Sequence, residues 1–452
     1  MKFAIVAAGL LFALPLQSQN RTYAPETGSS NIRVLAHIPL GWQFTIADIE
    51  IEQELSRPYA YVQRDFGPAG FDVINLKDPS KARIMYSWTI EKPDLHTGRG
   101  GSDGHYFKHQ GRYYYVQSFH FSNAGPDTEV GAIVFDVTGL PDTSKVKEVG
   151  RIRAPEAPGG FHTLYPYKHS DGRTLLFTTT RGGANVYDMA RFLAKDSSQG
   201  LLGKVPGLET NGRMAGYHDY YVAYDPTTKQ DKLYGAGGTF YVVYDVSKPE
   251  EAKLLTSIFN PNFSLAHTFQ ATPDGRYAVS QTEFAPSPIR IWDLKPTKDS
   301  MPKTIGRPIG AWQGTWTMGS HNHEIRWPYV FVGSFEDGLQ VFNMMDPTNP
   351  YTVGYYNTRA GAAFSGVNLG TGLKAGNAAQ VQPGNIFNGA WGVDIRNADG
   401  LIVISDFKTG FWAFKMDGFD GWNGHQWGMP NISSAQDWDN GPDGAPKVQR
   451  VS

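Results

Sequence analysis

The chain contains no cysteine. That absence excludes disulfides, thiolate metal ligands, cysteine nucleophiles and the lipidated cysteine of an exported lipoprotein. No sign of charge dominates either: 41 lysines and arginines stand against 43 aspartates and glutamates, with no basic block. Nothing in this pattern points to nucleic acid or an anionic membrane surface as a partner. Long apolar runs are nearly missing. The exception is Phe3 to Leu16, which follows Lys2 and ends in the polar "LQSQN". A run of that length is short for a membrane span and reads as an export signal cleaved near Ser18. The expectation is a signal peptide over residues 1–18 and a mature protein in the periplasm or outside the cell, without membrane insertion. No G-x-S-x-G nucleophile elbow occurs. The glycine-rich "GRGGSDG" and "GPAG" do not open a helix after a strand, so they are not phosphate loops. "DGFDGWNG" lacks the spaced ligands and final glutamate of a calcium loop.

What the chain does contain is turn formers and aromatics, with 51 glycines, 29 prolines and 13% aromatic residues, and these recur in a pattern. "SRPYAYVQRDFGPAGFDVINLKDPSKARIMYSW" holds three strand-like runs, Tyr59–Val62, Phe71–Leu76 and Ala82–Trp88. The same order returns from Arg112, Gly172, Asp231, Gly275, Pro328 and Gly400. β-Branched and aromatic residues alternate within each run, as a sheet with two different faces requires. Asp136, Asp188, Asp245, Asp293 and Asn343 close the third runs, mostly before Pro-bearing turns, where an Asx side chain can bond the turn backbone. Copies lie about 40–60 residues apart, the period of four-stranded propeller blades. The fold class expected is all-β: a seven-bladed β-propeller over residues 19–418. "NIRVLAHIPLG" looks like an outermost strand without a blade, and the seventh copy lacks one. Residues 31–38 are therefore expected to complete the last blade and remove the free sheet edges. In the third copy "ARFLAKDSSQG" replaces the usual turn and reads as a short helix. Residues 359–388 form a Gly/Ala/Asn-rich insertion. Residues 419–452 form a polar tail whose tryptophans, Trp422, Trp427 and Trp438, suit pinning to one face.

The runs "PYAYVQ…GFDVINLKDPSKARI", "KLYGAGGTFYVVYDVSKPEEAKLL" and "YVFVGSFEDGLQVFNMMDPTNPYTVGYY" resemble the LVIVD repeat, a propeller-forming repeat of exported bacterial and archaeal proteins. The resemblance covers most of residues 46–417. It implies the propeller fold and export; the family is named for its repeat and not for an activity.

Each copy also has an opening run that would line the central channel. Aligned on the strand that follows, these runs begin at Ala47, His105, His162, His218, His267, His321 and Trp391. Five of the twelve histidines thus take one repeat position. His105 and His321 stand at identical spacing from a valine, in "HYFKHQGRYYYV" and "HNHEIRWPYVFV". Strand alternation sets His323 on the same face as His321 and turns Glu324 and Asp219 to the other. Imidazole suits Zn, Cu, Fe and Ni, and the candidate cofactor is a divalent transition metal: Zn, Fe, Cu or Mn. The candidate ligands are His105, His162, His218, His267, His321 and His323, with His218, His267 and His321 favoured. Glu283, in "SQTEF" after a second strand, is the candidate general base or supporting carboxylate at the channel mouth. A structural alternative uses the same residues: a histidine at the start of each blade can bond neighbouring backbone and hold blades together. Two functions follow as expectations. The first is a ligand-binding or protein-interaction module with a small molecule or protein at the mouth of a histidine-lined channel. The second is a metal-dependent enzyme of lyase or oxidase type.

Overall fold

A computed structural model of the chain describes residues 27–40, 46–65, 68–98, 100–210, 213–260, 265–283, 287–294, 304–314, 319–335, 337–358 and 389–442. The expected signal peptide and the insertion at 359–388 lie outside the described residues.

The repeated runs are antiparallel strands, and each copy makes one four-stranded sheet. In the first blade the second strand, Tyr59–Arg64, pairs with Gly70–Asn75 in the register Tyr61↔Val73. Arg83–Thr89 then adds the outer edge. The sequence marks have the bonding they were read for. Asp136 accepts the Thr138 N–H at 3.0 Å, Asp245 that of Ser247 at 3.0 Å, and Asn343 that of Met345 at 2.7 Å. In the third blade the equivalent Asp188 instead accepts the Ala190 N–H at 2.9 Å and caps a one-turn helix, Met189–Leu193. An Asx cap satisfies an otherwise orphaned donor in either setting. That blade still keeps its outer strand, Leu201–Pro206.

Seven such sheets form the propeller. Their inner strands are Ile46–Ile51, Gly104–His109, Leu164–Lys168, Asp219–Asp225, Ala266–Ala271, Asn322–Arg326 and Ala390–Arg396. Blades join through buried side chains, for example Tyr61 stacked on Tyr115 with centroids 4.4 Å apart. The ring closes as expected. Ile32–Ile38 pairs antiparallel with Gly410–Met416, from Ile32↔Met416 to Ile38↔Phe411, and is the fourth strand of the last blade. Ile32 seals there over Phe414 and Met416 in one apolar cluster. Beyond Met416 the chain leaves the blades. Among the described residues there, the 3-10 turn Gly424–Trp427 follows Trp422, which meets the face where the inner strands end.

Candidate functional site

Four histidines stand side by side where the inner strands begin. Ring centroids are 4.3 Å apart from His162 to His218, 4.5 Å from His218 to His267, and 4.2 Å from His267 to His321. Trp391 continues the arc at 3.8 Å from His321. Ala47 follows in the small apolar cluster that holds Trp391, Phe335 and Phe407. The repeat explains the arc: one residue per blade, at the same place, from successive blades. His120, which the repeat does not single out, extends the arc at 5.3 Å from His162.

Glu283 follows the second strand of the fifth blade and lies over the arc. Its carboxylate oxygens are 3.6 Å from His218 Nε2, 3.7 Å from His267 Nε2 and 3.8 Å from His321 Nε2. Glu283, His267 and His321 are 1%, 3% and 4% exposed. These distances exceed a hydrogen bond. They approach the spacing of about 3.4 Å expected between ligands on one tetrahedral metal with bonds of about 2.1 Å. Ligand atoms of His218, His267 and Glu283 all lie within 4.8 Å of one another.

One of the rings has a defined tautomer. His321 Nδ1 is 3.1 Å from the Trp391 carbonyl, so the ring proton is on Nδ1. His267 Nδ1 is 2.9 Å from the Thr268 hydroxyl. That hydroxyl also lies 3.2 Å from the His321 carbonyl and 3.3 Å from the Asp219 carboxylate. Both rings turn Nε2 toward Glu283. Burial, then the neighbouring imidazoles of His321, His218, His162 and His323, hold the His267 pKa well below the usual histidine value. The structural alternative is thus half present. His321 does clasp the backbone of the next blade, but with one nitrogen, and the other faces the carboxylate.

The remaining candidates lie elsewhere. His105 is not in the arc. It sits deeper in the channel, with Nδ1 2.9 Å from Glu50 and Nε2 3.2 Å from Asp103, its ring edge-on to Tyr165. Equal chain spacing misleads here because the two hairpins turn at points one residue apart. The second blade turns between His109 and Arg112 and pairs His105 with Val116. The sixth turns between Arg326 and Tyr329 and sets His323, not His321, opposite Val332. Burial opposes a charge on His105, yet the Asp103 and Glu50 carboxylates outweigh it and raise its pKa well above the ordinary value. His323 shares a side with His321, but that side faces the fifth blade: its Nδ1 is 3.2 Å from Gln281 Oε1, and burial brings its pKa down to about 3. The channel axis receives Asn322 and Glu324 instead. Asn322 donates across it to Asp48 at 3.2 Å, and Glu324 accepts from Gln270 at 3.0 Å. Glu324 is therefore a lining residue rather than an incidental one.

Sequence reasoning also missed the acidic character of the channel. Asp48, Glu50, Asp103, Asp219, Glu324 and Asp394 all line it. Burial, then the charge of Asp103, raises Asp48 well above the carboxylate range and Asp219 to about 7. Strict alternation would have found Asp48, Glu50 and Asp394 if their strands began regularly. Register shifts at Ile46/Ile49, Ala266/Phe269 and Ala390/Gly392 instead change which face each opening residue takes.

Fold and geometry define a class: a closed seven-bladed β-propeller whose channel has histidines at one mouth and carboxylates along its wall. No protein-family model and no curated protein matches the sequence. Solved structures do match the fold. Raptor from Chaetomium thermophilum is similar over 85% of this chain, at 12% identity and a TM-score of 0.55; the match spans 29% of the Raptor chain. A COPII outer-coat vertex structure on membranes is similar over 82% of this chain and 84% of its own, at 10% identity and a TM-score of 0.54. At these identities the likeness is of fold alone, and the fold is compatible with a protein-interaction module.

Proposed function

We propose that this chain is an exported small-molecule-binding propeller of the LVIVD type, whose channel mouth holds a divalent transition metal. His218, His267, His321 and Glu283 are the ligands; His162 flanks them. One observation carries this reading. Two buried imidazoles, each with Nδ1 beside an oxygen, turn Nε2 toward a buried carboxylate, an arrangement of electron-pair donors that a cation among them would satisfy. The second nitrogen of each ring is held by an oxygen, as in metal-bound histidines generally. A set of nitrogen and oxygen donors without sulfur suits Zn, Fe, Cu or Mn. An ion that accepts a further ligand there would polarise a bound small molecule or activate water, which is the basis of the lyase or oxidase alternative. Export rests on the N-terminal pattern and family on the repeat resemblance.

Elemental analysis of the purified chain tests the site. After loading with Zn²⁺, Cu²⁺, Fe²⁺ or Mn²⁺ and desalting, about one ion per chain is expected. A folded His267→Ala/His321→Ala variant should retain none. A wild-type chain that keeps no ion of the four, or a double variant that keeps its ion, overturns the proposal.

A further inference from the structure

The channel has a second mouth, where the inner strands end, and the C-terminal segment lies across it. Trp422 anchors the segment's start by donating Nε1–H to the Trp327 carbonyl at 2.9 Å, on the sixth blade. Ser433 accepts from Asn397 Nδ2 of the seventh blade at 3.2 Å. Ser434 reaches the axis. Its hydroxyl bonds Glu324 and accepts from Arg326 Nη1 at 3.0 Å, both at the end of the sixth inner strand. Its carbonyl accepts from Tyr165 at 3.2 Å, on the third blade. Gln436 then accepts the Lys168 N–H of that blade at 3.3 Å. Third and sixth blades face each other across a seven-membered ring, so three residues span the opening. The far end is pinned on the second blade, where Lys108 bonds Asp439 at 2.5 Å and Trp438 packs on Tyr106 and Phe107.

The seat is built for this segment. Arg326, fully buried, donates to Asn397 at 2.6 Å and to the Ile395 carbonyl at 3.1 Å, which fixes the guanidinium that Ser434 meets. Trp438 is 8% exposed. A cavity remains between the bar and the channel wall, bounded by Glu50, His105, Pro166 and Asp394 above and Ser434 to Gln436 below. We infer that Asn431–Asp439 is a built-in plug. It closes the far mouth and turns a through-channel into a blind cavity approached from the histidine side. The inference is independent of any metal at that side.

The absence of cysteine makes the test direct. Pro166→Cys places a single thiol in the compartment behind the plug, and its reaction with a fluorescein maleimide is timed. Two further chains carry the same thiol: one ending at Asn423, the other with Trp438→Ala and Asp439→Ala, which frees the second-blade end. Ser102→Cys, at the opposite end of the cavity, is the reference thiol. Labelling at position 166 is expected to quicken at least about tenfold in both unplugged chains, as access to a buried site follows the population of the open form. Position 102 should label at an unchanged rate. Circular dichroism reports whether each chain is folded; the point variant decides if the shortened chain is not. An unchanged rate at position 166 in a folded unplugged chain overturns the inference. So does equal quickening at both positions, which would mean general loosening.

Discussion

Glu283→Gln provides the sharpest probe of the histidine mouth, because it keeps the shape of a buried side chain and removes only its charge. An ion present at a hundred times its dissociation constant stabilises the folded chain by about 2.7 kcal/mol. Unfolding entropy near 2.1 cal/mol/K per residue, over 452 residues, comes to about 1 kcal/mol per degree. Saturating metal should therefore raise the melting temperature of the wild-type chain by about 3 °C. Glutamine offers no anion to a cation held by His218, His267 and His321. Loss of a supporting group costs 10–100-fold in affinity, and loss of a ligand at least the upper end of that range. The same metal concentration would then equal the dissociation constant, and the increment falls to about 0.4 kcal/mol, or ~0.4 °C. The assay is a pair of melting curves for each protein, in chelator and in metal. A 3 °C increment that survives in Glu283→Gln would refute the assignment of that carboxylate. No increment in the wild-type chain would refute the site.

Two further outcomes follow from the geometry. His105, between Glu50 at 2.9 Å and Asp103 at 3.2 Å, holds its proton to higher pH in the folded chain than in the unfolded one. Its stabilisation is whole below about pH 6.5 and is lost as pH rises through the folded value, by up to about 1.4 kcal/mol per unit. His105→Gln should thus cost most near pH 6 and progressively less toward pH 9, read as urea midpoints; a cost independent of pH would contradict the ion pairing. Deleting residues 27–38 leaves the edge of Gly410–Met416 unpaired. Self-association should appear by light scattering after size exclusion, since open edges recruit other strands; a monodisperse shortened chain would show that the clasp is dispensable.

The fold was legible because two signals agreed. Alternation named the strands, and the repeat period grouped them into blades, down to the lone strand at the start that completes the end. The histidine arc was legible for the same reason from His162 to His321, as was Glu283 at the mouth. His105 was misplaced because chain spacing counts residues, whereas height along the axis depends on where each hairpin turns. Asp48 and Asp394 stayed hidden for a related reason: one bulged residue exchanges the two faces of a strand, and a sequence does not display the bulge. The bar across the far mouth was illegible because it depends on contacts between Ser434 and residues more than a hundred positions away. No local periodicity encodes such a contact.

The pairing of Ile32–Ile38 with Gly410–Met416 also sets an order of events in synthesis. The strand made first has to wait, unpartnered, until the last sheet has emerged. Six blades can assemble in turn as they appear, each on its predecessor, but the seventh stays one strand short until nearly the whole chain is available. Contacts of such long range form late. A chain interrupted anywhere before residue 410 is left as an open fan, so damage near the end of the polypeptide should be felt around the entire circle.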